Sequence, residues 1–201
     1  MEDLHKYERE LNNQGITIIG GVDEVGRGPL IGSVITACVV LPKDFLLDGL
    51  TDSKKLSEKK RDKFYDIIMK EALAVGIGEC TEKEIDKYNI YEATKIAMKR
   101  AITEANKKIK IEHILIDAMP LDIDIPTTSI IKGDAKSISI AAASVIAKVT
   151  RDRMMYELDK KYPEYGFGSH KGYPTKKHVE AIKKYGLIDG YRKSYGPVKE
   201  I

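Results

Sequence analysis

The sequence predicts an α/β fold in which helices flank a five-stranded mixed sheet and further helices follow on the C-terminal side. Short segments rich in β-branched residues alternate along the chain with segments whose apolar residues recur at helical spacing. We interpret the first three strands as linked by short turns and the later strands as linked by helices. This arrangement favours a mixed sheet over a purely parallel one.

The composition is that of an ordinary globular protein. Hydrophobic residues make up 42% of the 201 residues, so the chain can bury a core. The length favours one domain over residues 1–201, with a leader helix in 1–15 and a helical segment from about 175 to 201. Charged residues make up 32%, but the net charge is only +3, which argues weakly for a polyanionic partner.

The cysteines and the N-terminus bear on location. Cys38 and Cys80 lie singly in apolar segments, which is typical of buried small hydrophobes in a reducing compartment. The N-terminus lacks an apolar signal region, and no segment approaches the roughly 18 apolar residues of a membrane span. We therefore expect a cytoplasmic protein with no membrane association.

The first half of the chain predicts three strands and two helices. Leu4, Tyr7 and Leu11 lie at helical spacing before Gly15, which indicates a short leader helix. Ser57 is a candidate N-cap for the second helix. In chain order, the predicted elements are a helix over 3–12, strands over 16–24 and 33–41, a helix over 57–70 and a strand over 72–79.

The second half predicts two more strands and four helices. Thr81 and Glu84 form a capping box that begins a short helix, and Asn89 caps the next one. Small residues at 141–144 permit a later helix to pack closely on a sheet. After the capping-box helix, the predicted elements are a helix over 89–108, strands over 113–118 and 127–132, and helices over 137–161 and 175–185.

Four acidic residues lie at or just after predicted strand ends. Asp23 and Glu24 end the first strand, Asp117 ends the fourth, and Asp134 follows the fifth. Neighbouring strand residues point to opposite faces, so Asp23 and Glu24 share a pocket only if the strand ends there, which the following glycines permit. Four converging carboxylates need a cation among them, and oxygen ligands without His or Cys favour Mg²⁺ or Mn²⁺. Paired divalent ions at such a site imply phosphate chemistry.

Each acid also has a simpler interpretation. Asp23 and Glu24 are compatible with a solvated strand end, and Asp117 and Asp134 with caps of turns or helices. Asp152 is a further candidate, but a continuous helix rising about 1.5 Å per residue would carry it on the order of 20–27 Å from Asp134. We therefore assign Asp152 to a surface pairing with the neighbouring Arg151 and Arg153.

Several motifs in order resemble those of bacterial ribonuclease HII. The resemblance runs from about residue 18 to 175, and several independent motifs in one order are more specific than any single motif. The motifs are Gly-Val-Asp-Glu-Val-Gly-Arg-Gly-Pro-Leu (21–30), Asp-Ser-Lys-Lys-Leu-Ser (52–57), Ile-Asp-Ala (116–118), Lys-Gly-Asp-Ala-Lys-Ser (132–137), Ala-Ala-Ala-Ser-Val-Ile-Ala-Lys-Val-Thr-Arg-Asp-Arg (141–153) and His-Lys-Gly-Tyr-Pro-Thr (170–175).

The resemblance implies a ribonuclease H-like fold and a set of site residues. The implied metal ligands and catalytic residues are Asp23, Glu24, Asp117 and Asp134. The implied contacts to a ribonucleotide whose 3′ neighbour is DNA are Gly26, Arg27, Gly28 and Tyr173. The 2′-hydroxyl distinguishes RNA from DNA, and glycine backbone and an aromatic ring can approach it closely. Lys54 and Lys55 are expected phosphate contacts. For His170 we favour hydrogen bonding within a loop over proton transfer.

The expected activity follows from this resemblance. It is an endonuclease that cuts the RNA strand of RNA/DNA hybrids and the 5′ side of single ribonucleotides in duplex DNA, with two Mg²⁺ or Mn²⁺ ions. The products carry 3′-hydroxyl and 5′-phosphate ends, which suit DNA repair and replication. The expected partner is nucleic acid, and the chain is expected to be a monomer.

Two alternatives stay open. The sister enzyme ribonuclease HIII is similar in fold and acids but lacks the Gly-Arg-Gly motif, and Arg27 and a leader of about 15 residues argue against it. A noncatalytic binder of RNA/DNA hybrids is disfavoured by the presence of all four acids.

Overall fold

The computed structural model describes residues 3–201 and contains the predicted mixed sheet. Its strands lie in the order β3-β2-β1-β4-β5. β1 pairs antiparallel with β2 and β2 with β3, whereas β1–β4 and β4–β5 are parallel pairs. The strands are β1 (Ile19–Val25), β2 (Val34–Val40), β3 (Ala74–Cys80), β4 (His113–Asp117) and β5 (Thr127–Ile130). The five-stranded mixed sheet is therefore confirmed.

The helices cover both faces of this sheet. They are α1 (Lys6–Asn12), α2 (Glu58–Glu71), α3 (Glu82–Asn106), α4 (Ile138–Lys161), α5 (Phe167–His170), α6 (Lys176–Tyr185) and α7 (Gly196–Lys199). Ala37 and Val39 of β2 pack with α2 and α4, while Cys38 and Val40 pack with α3. Alternate strand residues point to opposite faces, so α2 and α4 lie on one face and α3 on the other.

Glycines in the strands allow the long helices to approach the sheet closely. A Cβ atom at Gly21 would overlap the backbone of Ser139 and Ile140 at the start of α4. Gly76 and Gly78 in β3 face the backbone of α3 in the same way. Glycine is therefore required where α4 crosses β1, directly before the acidic end of that strand.

Several predicted boundaries are confirmed and others need correction. Ser57 caps α2 and the Thr81 capping box begins α3. Asn89 interrupts α3 with φ 67 and ψ 165, and its Oδ1 accepts the N–H groups of Tyr91 and Glu92 at 2.9 and 3.1 Å. This confirms the predicted cap inside a nearly continuous helix. The helix predicted over 57–70 is confirmed as α2. Because α2 lies between β2 and β3, the description of the first three strands as linked by short turns is wrong for that connection.

The C-terminal part contains short helices that periodicity does not indicate. α5 and α7 span four residues each, too short for one full apolar repeat. They pack with α6 in a separate cluster that includes Leu30, Ile31 and Phe167. This cluster supports the segment that follows β1. Within residues 3–201, no helix combines the length and the apolar character needed to cross a membrane.

Candidate active site

Three of the four predicted acids meet at one edge of the sheet. Asp23 lies near the end of β1, Asp117 ends the parallel neighbour β4, and Asp134 lies in the short 3-10 helix that follows β5. Val22 and Ile116 are paired in the register, so the next residues along these parallel strands are Asp23 and Asp117. One carboxylate oxygen of each acid lies within 4.8 Å of the others. Sheet topology therefore produces the predicted convergence for these three acids.

Glu24 lies beside this group rather than in it. Its Oε1 is 3.7 Å from Nη1 of Arg27, and its backbone N–H donates to Oδ1 of Asp23 at 2.7 Å. Burial raises the pKa of Glu24, Arg27 lowers it, and the nearby charge of Asp117 raises it. The alternation of strand side chains explains why the carboxylate of Glu24 is offset from that of Asp23.

The acid group carries unfavourable electrostatics. Burial raises the pKa of Asp23 well above its ordinary value, and Glu24 and Asp117 raise it further. Burial, then Asp52 and Asp117, raise the pKa of Asp134 to about 6. Burial also raises the pKa of Asp117, which the Gly133 N–H opposes by donating to its Oδ1 at 2.6 Å. A bound cation would relieve both the repulsion and the desolvation of these carboxylates.

Asp52 is a fifth acid that the sequence analysis does not select. It caps the 3-10 helix Ser53–Lys55 by accepting the N–H of Lys54 at 2.9 Å, and its charge contributes to the raised pKa of Asp134. The signal was present, because Asp52 opens the Asp-Ser-Lys-Lys motif. Partial burial lowers the pKa of Lys54, but Asp52, Asp23 and Asp134 raise it more.

The two lysines are placed differently. The ammonium group of Lys54 is close enough to the acids to interact with them, as these pKa shifts indicate. Lys55 is exposed, and within residues 3–201 it forms no ion pair with the acid group. The structure thus brings Lys54, and not Lys55, to the acidic edge.

The Gly-Arg-Gly segment contacts the segment that carries Tyr173. A Cβ atom at Gly28 would lie 3.2 Å from Cε1 of Tyr173, whose side chain is 39% exposed. The N–H of Leu30 donates to the carbonyl of Gly172 at 2.8 Å. Arg27 is exposed, whereas Gly26 is buried and adopts φ 92. The structure therefore brings Gly28 and Tyr173 together and connects their surroundings to the acidic edge through the pair of Arg27 and Glu24.

His170 hydrogen-bonds within its loop, as predicted. Its Nε2 lies 2.9 Å from the carbonyl oxygen of Tyr165, and its Nδ1 accepts the N–H of Gly172 at 3.2 Å. Both ring nitrogens are therefore used by the backbone that precedes Tyr173. This geometry supports the loop role over proton transfer.

The predicted surface pairing of Asp152 is wrong. Asp152 is buried, and its carboxylate lies 2.6 Å from Nζ of Lys148 and 3.9 Å from Nη2 of Arg61. Arg153 pairs instead with Asp62, and Arg151 is buried with its donors on backbone carbonyls. The packing of α2 against α4 brings Arg61 to Asp152, and sequence adjacency gave no sign of that contact.

Comparisons with known proteins agree with this architecture. A model of the ribonuclease HII family matches residues 20–195. A ribonuclease HII from Bacillus cereus (strain B4264) is 59% identical over 199 residues, which is 99% of this chain and 77% of the relative. The ribonuclease H2 structure from Pyrococcus horikoshii OT3 has a TM-score of 0.75 and 28% identity, and the match covers 90% of this chain and 95% of that one. Bst-RNase HIII, solved in complex with Mn²⁺, has a TM-score of 0.69 and 17% identity over 92% of this chain and 68% of that one.

The fold and these matches define the class of protein: it is a ribonuclease H, an endonuclease that acts on RNA/DNA hybrids. The family match over most of the chain and the identity to the Bacillus relative show that the chain belongs to the ribonuclease HII family. The resemblance found in the sequence and the ribonuclease H-like fold are confirmed. The similarity to Bst-RNase HIII extends to the fold alone.

Proposed function

We propose that this ribonuclease H also cleaves duplex DNA on the 5′ side of a single embedded ribonucleotide, leaving 3′-hydroxyl and 5′-phosphate ends. The observation that carries the proposal is that Tyr173, which packs on Gly28, lies close enough to Lys54 to interact with it, as do the acids Asp23 and Asp134. A sugar-recognising surface next to phosphate-cleaving acids would select the bond by the sugar that adjoins it.

We propose that the acids hold a pair of divalent cations. Ribonucleases H use a divalent metal, and three buried or half-buried carboxylates within 4.8 Å provide the hard oxygen donors that Mg²⁺ and Mn²⁺ prefer. We assign Asp23, Glu24, Asp117 and Asp134 as the ligands. The chemistry that such ions would supply when held by these carboxylates is activation of a water and stabilisation of the leaving oxygen in an in-line displacement at phosphorus.

The remaining residues would bind and orient the substrate. Lys54 lies among the acids, where its ammonium group can contact the phosphate that is cut, and Lys55 would contact the phosphate backbone from its exposed position. The backbone of Gly26, Arg27 and Gly28 would meet the 2′-hydroxyl from one side. The exposed ring of Tyr173 would stack on the sugar from the other.

This activity would suit DNA repair and primer removal during replication. A 3′-hydroxyl end can be extended directly, so cutting 5′ to a misplaced ribonucleotide leaves a usable primer end. The same chemistry on a longer RNA segment would contribute to removing it. We propose that the protein acts as a monomer of one catalytic domain, with all the assigned residues supplied by the same chain.

The test uses an end-labelled DNA duplex that contains one ribonucleotide, next to an RNA/DNA hybrid, with Mg²⁺, Mn²⁺, Ca²⁺ or EDTA. We expect a cut 5′ to the lone ribonucleotide with Mg²⁺ or Mn²⁺ and none with EDTA. Cutting of the hybrid alone would refute single-ribonucleotide cleavage. Binding without cutting in every metal would favour a noncatalytic role.

Variants test the assigned residues. Asp117→Asn should abolish turnover on both substrates while the circular dichroism spectrum is unchanged, because the carboxylate is needed to hold the metal. Asp124→Asn, which alters an exposed acid of the loop between β4 and β5, is the matched control and should keep full activity. Normal cleavage by Asp117→Asn would overturn the site assignment.

A further inference from the structure

Two arginines are buried in the protein without an acidic partner. Arg151 is 1% exposed and Arg192 is fully buried. Within residues 3–201, neither forms an ion pair with an Asp or Glu side chain. Burial lowers the pKa of both guanidinium groups, that of Arg151 to about 10. An unpaired buried charge is costly, so these side chains must make compensating hydrogen bonds.

The compensating acceptors of Arg192 are backbone carbonyls of the segment that follows β1. Its Nη2 donates to the carbonyl of Gly26 at 2.6 Å, its Nη1 to that of Arg27 at 2.9 Å, and its Nε to that of Gly32 at 2.8 Å. The hydroxyl of Tyr195 also donates to the Arg27 carbonyl, at 2.5 Å. One planar guanidinium therefore fixes two consecutive peptide groups.

The N–H groups of these two peptides belong to Arg27 and Gly28. The carbonyl of Gly26 shares a peptide plane with the N–H of Arg27, and the carbonyl of Arg27 with the N–H of Gly28. No peptide bond in residues 3–201 is cis, and in a trans peptide the N–H points opposite to the carbonyl. Both N–H groups therefore point away from Arg192, at exposed residues, and have no hydrogen-bond partner within the described chain.

Arg151 connects the same segment to the one that carries Tyr173. Its Nε and Nη2 donate to the carbonyls of Ser33 and Ile31 at 3.2 and 3.1 Å, and its Nη1 donates to that of Lys171 at 2.9 Å. A Cβ atom at Gly26 would overlap the Arg151 side chain. The two segments that face each other at Gly28 and Tyr173 are therefore held by a shared cation beneath them.

We propose that Arg192, assisted by Arg151, is a positioning residue for ribonucleotide recognition: it aims the amides of Arg27 and Gly28 at the sugar. A charged donor on each carbonyl also polarises the peptide and strengthens its N–H as a donor. The inference rests on the proposed recognition of a single ribonucleotide. Lysine at position 192 keeps the charge but cannot reach three carbonyls in fixed directions.

The experiment compares binding to two duplexes that differ by one 2′-oxygen. Affinities of the wild type, Arg192→Lys, Tyr195→Phe and the control Arg153→Lys are measured in EDTA for an all-DNA duplex and for the same duplex with one ribonucleotide. Arg153 is on the same helix as Arg151 but is exposed and pairs with Asp62. We expect Arg192→Lys to lose about tenfold of the preference for the ribonucleotide, with all-DNA affinity unchanged within about twofold.

The outcomes separate this inference from the proposed function. If the wild type shows no preference, the recognition step and the positioning role that rests on it are both overturned, while the cleavage assay decides the proposed function separately. If the wild type shows it and a folded Arg192→Lys keeps it in full, the positioning role is overturned. If Arg192→Lys does not fold, Tyr195→Phe decides, because it removes one hydrogen-bond donor from the Arg27 carbonyl. In that variant an unchanged preference for the ribonucleotide overturns the positioning role, and a loss of about threefold supports it. The control should keep the wild-type preference, and equal losses on both duplexes would indicate general disruption and also count against the role.

Discussion

Replacing Asp134 by Asn should stabilise the protein in the absence of metal. The substitution keeps the shape of the side chain and removes one negative charge from the acid group. In the folded protein burial, Asp52 and Asp117 raise the pKa of Asp134 from 3.8 to about 6. A carboxylate with a raised pKa is more costly to ionise in the folded state than in the unfolded chain, so its charge destabilises the fold.

The magnitude follows from the pKa difference. At about 1.4 kcal/mol per pKa unit, the shift at Asp134 corresponds to about 3 kcal/mol. The two acids that raise this pKa, Asp52 and Asp117, are only partly buried, and screening reduces the figure to about 1–2 kcal/mol. For a chain of this size, Asp134→Asn should therefore raise the melting temperature by about 3–6 °C in EDTA at pH 7.5.

The pH dependence has a definite sign. Between pH 3.8 and about 6, the folded protein holds the Asp134 proton more tightly than the unfolded chain does. Stability of the wild type therefore falls as pH rises through this range, and the cost is fully present above pH 6. The advantage of Asp134→Asn should be complete at neutral pH and should disappear as pH falls to about 4.

Thermal unfolding with and without Mn²⁺ checks this reasoning. Mn²⁺ should stabilise the wild type by binding the folded state and should stabilise Asp134→Asn much less, so the order of melting temperatures is reversed. Asp124→Asn, at an exposed loop acid, should match the wild type in every condition. If Asp134→Asn were no more stable than the wild type in EDTA at pH 7.5, the electrostatic argument would be refuted.

Three further predictions address other parts of the structure. Burial lowers the pKa of His178 from 6.5 to about 4, so His178 should contribute a loss of about 3 kcal/mol in the free energy of unfolding as pH falls through this range. Urea unfolding at both ends of the range should show a change in this free energy that is less favourable in the wild type than in His178→Gln, and an equal change would contradict the argument. Gly21→Ala should lower the melting temperature by several degrees because its Cβ overlaps the backbone of α4, whereas Gly196→Ala, with open space around it, should not. Lys54→Gln should raise KM and reduce the salt dependence of binding by about one ion, and an unchanged salt slope would exclude a phosphate contact.

The acid site could be predicted from sequence because the end of each strand is a local signal. Two apolar segments end in Asp23 and Asp117, and the structure shows that these strands are parallel neighbours, which end at one edge of the sheet. Asp134 lies close by because the preceding Gly133, at which a Cβ atom would overlap Ile140, packs against Asp117 and donates its N–H to that carboxylate. Asp52 was missed because it reaches the site from the β2–β3 connection, whose path depends on tertiary packing.

The roles of charged residues on α4 could not be predicted in this way. Arg151, Asp152 and Arg153 are adjacent, and helical charges are usually exposed, so the sequence indicated one surface cluster. In the structure, Arg151 contacts backbone carbonyls, Asp152 contacts Lys148 and α2, and Arg153 contacts Asp62. Only the structure shows that the segment after β1 has carbonyl groups that accept hydrogen bonds from the buried Arg151.

The two parts of the site bury charges of opposite sign, and the free-energy cost of burying each is relieved by different means. The carboxylates repel one another until a cation binds, whereas the buried guanidinium groups of Arg151 and Arg192 are already satisfied by carbonyls. None of the three clustered acids is among the charges that shift the pKa of either arginine. Metal binding and ribonucleotide recognition should therefore be independent. Arg192→Lys should keep the Mn²⁺ affinity of the wild type, and Asp134→Asn should keep the preference for a duplex with one ribonucleotide. A change in Mn²⁺ affinity in Arg192→Lys, measured by calorimetry, would show that the two parts are coupled.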